Sequence, residues 1–242
     1  MEYLFILSVF VVASLYASVG HGGASGYLAL MALFGFEQYT MKSSALTLNL
    51  FVAGIAFYSF FKNGHFKFNV LLPFILGSIP MAFIGARIQI NPHTYKVILG
   101  VFLLLAISRM LISPKGSYEQ SKNPPFHIAI LIGAIVGLFS GMIGIGGGII
   151  LGPILLLMHW ANVKETAGIS AMFILLNSMA GLAGLYFNQN FKPDPHILLW
   201  AAVGFSGGYL GSQLSSQKLS QYKVKILLAA VLLVASVKLF IF

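Results

Sequence analysis

The stretch Ser140-Gly141-Met142-Ile143-Gly144-Ile145-Gly146-Gly147-Gly148-Ile149-Ile150-Leu151-Gly152-Pro153 decides how this chain folds. Six glycines and one proline fall within these fourteen residues, and every other residue except Ser140 is apolar. A surface loop would carry charge, and a buried helix would lose roughly 1 kcal/mol per glycine relative to alanine. Apolar flanks around a breakable backbone predict a helix interrupted at membrane depth. Such a break persists only where protein or a water-filled cavity satisfies the freed N–H and C=O groups. A fainter copy, Gly20-His21-Gly22-Gly23-Ala24-Ser25-Gly26, begins 124 residues before Gly144. Paired interruptions in two halves of one chain are a sequence sign of a transporter's binding site.

Composition agrees. Of 242 residues 58% are hydrophobic and 8% charged, with mean hydropathy +0.91, against about 25% charged in a soluble domain. A polytopic membrane protein in contact with the lipid bilayer is expected. The formal charge of +9 comes from 14 basic residues scattered among short connections. They read as topology determinants, and no nucleic-acid partner is expected. The chain has no cysteine, which excludes disulfides and thiolate ligands. No basic segment precedes the first apolar run, so a cleaved signal peptide is not expected.

That first run, from about Tyr3 to Gly35, would be roughly 50 Å long as one helix, against a hydrocarbon core of about 30 Å. Two abbreviated helices meeting at Gly20–Gly26 fit better. Three spans follow at about Ser43–Phe61, Val70–Ile88 and Tyr95–Leu111, with Glu37 to Lys42 read as a connection before them. The polar segment 113–125 divides the chain. Residues 126–160 then repeat the long broken run, before spans at about Thr166–Phe187, His196–Gln213 and Tyr222–Phe242.

Local echoes support duplication: Phe66-Lys67 with Phe191-Lys192, and Tyr95-Lys96-Val97 with Tyr222-Lys223-Val224. The expected fold is therefore all-α and polytopic, with repeats over 1–112 and 126–242 joined by 113–125. Each repeat is a short broken-helix hairpin plus three transmembrane helices. An odd number of full crossings per repeat makes the second insert upside down relative to the first. Nine basic residues against five on the opposite side place the central loop in the cytoplasm and both termini outside the inner membrane.

A half-helix that starts inside the bilayer presents unpaired N–H groups and a partial positive charge. That arrangement suits an anion. The candidate binding residues are accordingly Gly20, Gly22 and Gly23 with Gly144, Gly146, Gly147 and Gly148. Ser25 is expected to cap the first outgoing half-helix, and Pro153 to sit near the first turn of the second. All five acids, Glu2, Glu37, Glu119, Glu165 and Asp194, lie at expected span ends or connections. No carboxylate is therefore available at depth for a cation site. His21 is the one ionisable residue in either glycine turn, either a charge for the anion site with proton coupling or a neutral structural histidine. The histidines lack ligand spacing, so neither a metal nor another cofactor is expected.

Ser44, Thr47 and Asn49, and Ser170, Asn177 and Ser178, lie on the span after each break. Such groups usually join helices, each bond worth about 0.6 kcal/mol, and less often line a polar pathway. Gly133, Gly137 and Gly141 have small-xxx-small spacing and read as packing. Gly144-Ile145-Gly146 also opens like a dinucleotide fingerprint, but the flanks lack a strand and the later acid.

At these residues the chain resembles the TauE/SafE family of sulfite exporters, also called the 4-toluene sulfonate uptake permease family. The resemblance rests on Gly144–Gly148 with Pro153, on Lys164-Glu165-Thr166-Ala167-Gly168-Ile169-Ser170, and on the first-half copies Gly20–Gly23 and Gly85-Ala86-Arg87. It spans nearly the whole chain. It implies an inner-membrane carrier, not an enzyme, for a small sulfur-containing anion such as sulfite, thiosulfate or an organosulfonate. The expectation is a secondary transporter working by alternating access, with an anion between the two glycine breaks. An anion channel or a membrane subunit of a larger complex are the alternatives, and a homodimer is compatible with the sequence.

Overall fold

In the computed structural model of the protein, residues 2–18, 24–111, 123–214 and 221–241 are described. Ten helices occupy them, and no strand occurs among the described residues. In order they are α1 (Glu2–Ser18), α2 (Ala24–Phe34), α3 (Gln38–Lys62), α4 (Phe68–Arg87), α5 (Pro92–Leu111), α6 (Phe126–Ile143), α7 (Gly148–Leu157), α8 (Val163–Phe187), α9 (Ile197–Leu214) and α10 (Gln221–Ile241). Among the described residues α3, α4, α6 and α8 are long and apolar enough to cross a bilayer.

Large apolar side chains point outward, as with Leu131, Leu198 and Val234, while serines and asparagines lie inside. This inverts the soluble pattern and is what a lipid solvent demands. The second long run divides as its glycines predict, while the break expected at Gly20–Gly23 falls outside the described residues. The limbs of this second hairpin are unequal, however. α6 has 18 residues and α7 has 10, so α6 rises ~27 Å and α7 ~15 Å. Only the second limb of the hairpin is short.

The chain forms two compact units that do not coincide with its two halves. Unit 1 comprises 1–48, 90–113 and 192–242; unit 2 comprises 49–89 and 114–191.

In unit 2, α4 packs lengthwise on α6. Gly133, Gly137 and Gly141 lie against the backbone of Phe74, Ser78 and Ala82. The constant offset of 59 residues between these partners means the two helices run parallel. Gly77 and Gly85 reciprocate against Ile130 and Leu138, so both helices contribute glycines to the seam and the backbones touch. Small-residue spacing here serves packing. Pro73 and Pro80 inside α4 remove two intrahelical donors. Val70, Leu71, Phe74, Val136, Leu151, Trp160 and Phe173 form the apolar core around the seam.

The start of α8 is fixed by a capping box. Asn162 Oδ1 accepts from Glu165 N at 2.9 Å and Glu165 Oε2 accepts from Asn162 N at 3.0 Å. Glu165 Oε1 also meets Lys67 Nζ at 2.8 Å.

In unit 1, α1 packs on α9 and α5 on α10. Phe5, Phe36 and Trp200 stack with ring centroids 4.5 to 5.5 Å apart. Ser236 Oγ donates to Gly100 O at 3.0 Å. Lys238 Nζ donates to Leu33 O at 2.6 Å, placing a cation at the carbonyl end of α2.

The residue Lys42 departs from the expected connection. It is the fifth residue of α3 and is fully buried, because the rings of Tyr39 and Tyr95 cover its ammonium group.

Candidate functional site

The interruption between α6 and α7 is built from backbone first. Gly144 closes α6 in the left-handed region at φ 88°, and its N–H donates to Ser140 O at 2.8 Å. Gly146 and Gly147 are left-handed too, at φ 83° and 81°. For any residue with a Cβ this run would be costly, which is why the stretch is glycine. All of Gly144–Gly148 is buried.

Gly147 is the N-cap of α7 and brings no side chain to cap it. Ile150 N and Leu151 N turn back to Gly147 O at 3.1 Å. The earlier amides of such a start have no acceptor within the helix. Pro153 is the sixth residue of α7, not part of its first turn. The helix begins where the left-handed run ends, so the proline ring falls in the second turn and leaves Ile149 O without its usual donor.

Side chains from α3, α6 and α8 surround the turn. Asn49 Nδ2 lies 3.4 Å from Ile145 O and 3.3 Å from Ser178 Oγ, two long, weak hydrogen bonds. A Cβ at Gly146 would lie 2.9 Å from Asn49 Nδ2 and 3.2 Å from Ser178 Oγ. One at Gly147 would lie 3.4 Å from Ser140 Cβ, and one at Gly148 3.6 Å from Ser170 O. The hydroxyls of Ser140 and Ser170 are buried and have no hydrogen-bond partner. No carboxylate belongs to this set.

Asn177 has a different place. Its Nδ2 donates to Ser78 Oγ at 3.0 Å and to Phe173 O at 2.8 Å, tying α8 to α4, while its Oδ1 is unpaired. Replacing Asn177 by alanine leaves Ser78 unsatisfied and is expected to cost about 2 kcal/mol. Asn49→Ala, losing two long bonds, is expected to cost about 1 kcal/mol or less. Thermal unfolding in detergent checks the order of the two.

In unit 1, Ser44 Oγ accepts from Asp194 N at 3.0 Å and Ser43 Oγ from Lys192 N at 3.0 Å. Ser44 thus holds the chain segment ahead of α9. Ser25 is buried as the second residue of α2, inside its first turn. Gly20, His21, Gly22 and Gly23 lie outside the described residues. The structure therefore brings Asn49, Ser178 and the backbone of Ser170 to the second glycine turn, and adds Ser140. Ser140 was visible as the one polar residue of the opening stretch. Ser178 adjoins Asn177, and no local pattern distinguishes which of the two faces the turn.

Apolar outer faces on nine of the ten described helices, with a broken helix and unpaired hydroxyls inside, define a multi-pass helical membrane protein of transporter type. The chain belongs to the sulfite exporter TauE/SafE family, whose model matches residues 5–239. It is 34% identical over 237 residues to the probable membrane transporter protein y4hK of Sinorhizobium fredii, covering 96% of each chain. A probable membrane transporter protein of Methanocaldococcus jannaschii is 30% identical, with 95% of this chain and 91% of that one aligned. For YdhB of Bacillus subtilis, also named a probable membrane transporter protein, identity is 24% over 88% of this chain and 90% of the relative. No solved structure matches the chain.

Proposed function

We propose that this protein is a secondary transporter of a small sulfur-containing oxyanion, such as sulfite, thiosulfate or an organosulfonate, working by alternating access in the inner membrane. The observation that carries the reading is the buried Gly144–Gly148 turn. There a helix start without a side-chain cap adjoins Ser140, whose buried hydroxyl is unpaired, and the backbone of Ser170, with no acid in the set. Amide and hydroxyl donors with a helix dipole behind them favour an anion over a cation.

Depth supports the same reading. α7 rises ~15 Å from the turn to the polar start of α8 at Asn162, Lys164 and Glu165, half of the ~30 Å hydrocarbon core. Measured along α7, the turn is about half the core thickness from that boundary, the depth at which broken-helix carriers bind substrate. Gly20–Gly23 with Ser25 would be the counterpart in the first half.

An inverted duplication accommodates the helix lengths: 17, 11, 25, 20 and 20 residues, then 18, 10, 25, 18 and 21. Five elements per half is an odd number. Partner exchange points the same way, because α4 packs on α6 while α9 packs on α1, its counterpart by position.

Uptake of labelled sulfite into proteoliposomes, competed by thiosulfate, an organosulfonate, sulfate and acetate, with and without a proton gradient, tests the proposal. Saturable flux, competed by the sulfur oxyanions and accelerated by substrate on the far side, is expected. Non-saturating flux with a unitary conductance would assign a channel, and no flux from the purified protein a subunit role. His21→Ala is expected to shift the pH profile of transport. An unchanged profile would give His21 a structural role.

A further inference from the structure

We propose that Lys42 and Gln38, at the start of α3 in unit 1, form an anion-binding station of their own. The ligand is a small oxyanion held by an ammonium and an amide donor. Lys42 is fully buried and its Nζ has no hydrogen-bond partner. Its neighbours are two ring faces, Tyr95 at 5.1 Å and Tyr39 at 5.6 Å. Ring quadrupoles offset only a fraction of the desolvation of an ammonium ion.

The two acids of this unit whose side chains are described do not serve it. Asp194 Oδ1 is engaged by His196, through N at 2.9 Å and Nδ1 at 3.3 Å, and Glu37 is exposed. Lys42 also stands near the positive end of the α3 dipole, which adds to the unmet positive potential.

A neutral lysine would relieve the charge, but it would not satisfy Gln38. Gln38 precedes Lys42 by four residues, on the same helix face. Its buried Nε2 is likewise without an acceptor. Among the described residues of unit 1, the unpartnered buried side-chain atoms are Gln38 Nε2, Lys42 Nζ and Trp200 Nε1, all nitrogen donors. In unit 2 they are oxygens: the hydroxyls of Ser140, Thr166 and Ser170, and Asn177 Oδ1. Donors without acceptors call for an acceptor-only ligand, and an oxyanion supplies both acceptors and the missing negative charge. The inference takes its choice of probe from the proposed transport function, but it stands on different residues.

The test measures sulfite binding by calorimetry to protein in nanodiscs of purely zwitterionic lipid. The parent carries Gly146→Leu, so that the glycine turn is blocked. The parent is expected to bind sulfite, and Lys42→Met in that background to bind about tenfold or more weakly, the loss of one charge-assisted hydrogen bond. Lys42→Arg keeps the charge and should recover most of the affinity. Gln38→Leu should weaken binding severalfold without altering charge, which guards against misfolding of a single variant. Nanodiscs with phosphatidylglycerol distinguish the source of the anion. Sulfite displaced by that lipid in a Lys42-dependent way would assign the station to a headgroup phosphate, the same chemistry. Sulfite bound equally by parent and Lys42→Met, or not bound by the parent at all, would overturn the inference. Flux that survives Gly146→Leu would instead count against the glycine-turn reading and leave the Lys42 comparison readable.

Discussion

Gly137→Val is expected to unfold the protein well below the wild-type temperature and to lower its yield from membranes. A Cβ at this position would lie 2.6 Å from Ser78 Cα and 2.8 Å from Ser78 C, closer than real atoms approach. The obstacle is backbone, so no rotamer change relieves it. α6 would have to lift off α4, and the neighbouring contacts of Gly133 and Gly141 would open with it. Overpacking of this kind costs about 3 kcal/mol, or about 10 °C in melting temperature for a chain of this size. Gly54→Ala in α3 is the control, because a Cβ there meets nothing within 4 Å. Its melting temperature should stay level or rise slightly, since alanine is the better helix former. Equal losses from both variants would mean that the seam is not where the backbone contact matters.

The second large effect is on transport. Gly146→Leu is expected to abolish flux, at least a hundredfold by the loss of two or more hydrogen bonds to a bound anion, while leaving membrane insertion intact. Gly146 has φ 83°, where a branched side chain costs roughly 1–2 kcal/mol. Its Cβ would press on Ile174 Cγ2 at 2.8 Å and on Asn49 Nδ2 at 2.9 Å. The leucine would therefore fill the space beside the uncapped start of α7. Insertion depends on the apolar character of the flanking segments, which leucine increases. Near-normal flux with normal surface yield would remove the turn from the transport path.

Much of this was legible because the bilayer makes local rules strict. Glycines clustered within an apolar run leave only a broken helix, and the break between Ile143 and Gly148 falls where Gly144–Gly148 predicts it. The packing role of Gly133, Gly137 and Gly141 followed from spacing alone. Pro153 did not, because a proline is tolerated near either end of a short helix, and the left-handed Gly147 decided where α7 begins.

Lys42 was misread for a nonlocal reason. Sequence rules put a lysine at a span end, whereas Tyr95, fifty-three residues further along, supplies one of the rings that bury it. The Asn49–Ser178 contact joins residues 129 apart, and Ser140 sits beside Gly147 through the fold of the turn. The division into units escaped the sequence as well. Duplication suggests two halves, but each helical unit draws on both.

The amide resonances of Gly146, Gly147 and Gly148 test the central claim most directly, followed in nanodiscs with isotope-labelled glycine as sulfite is titrated. An anion held by the helix start should move these amide protons downfield and saturably, over the concentrations that half-saturate flux, and the movement should vanish in Gly146→Leu. Unmoved resonances at concentrations that sustain transport would contradict the account.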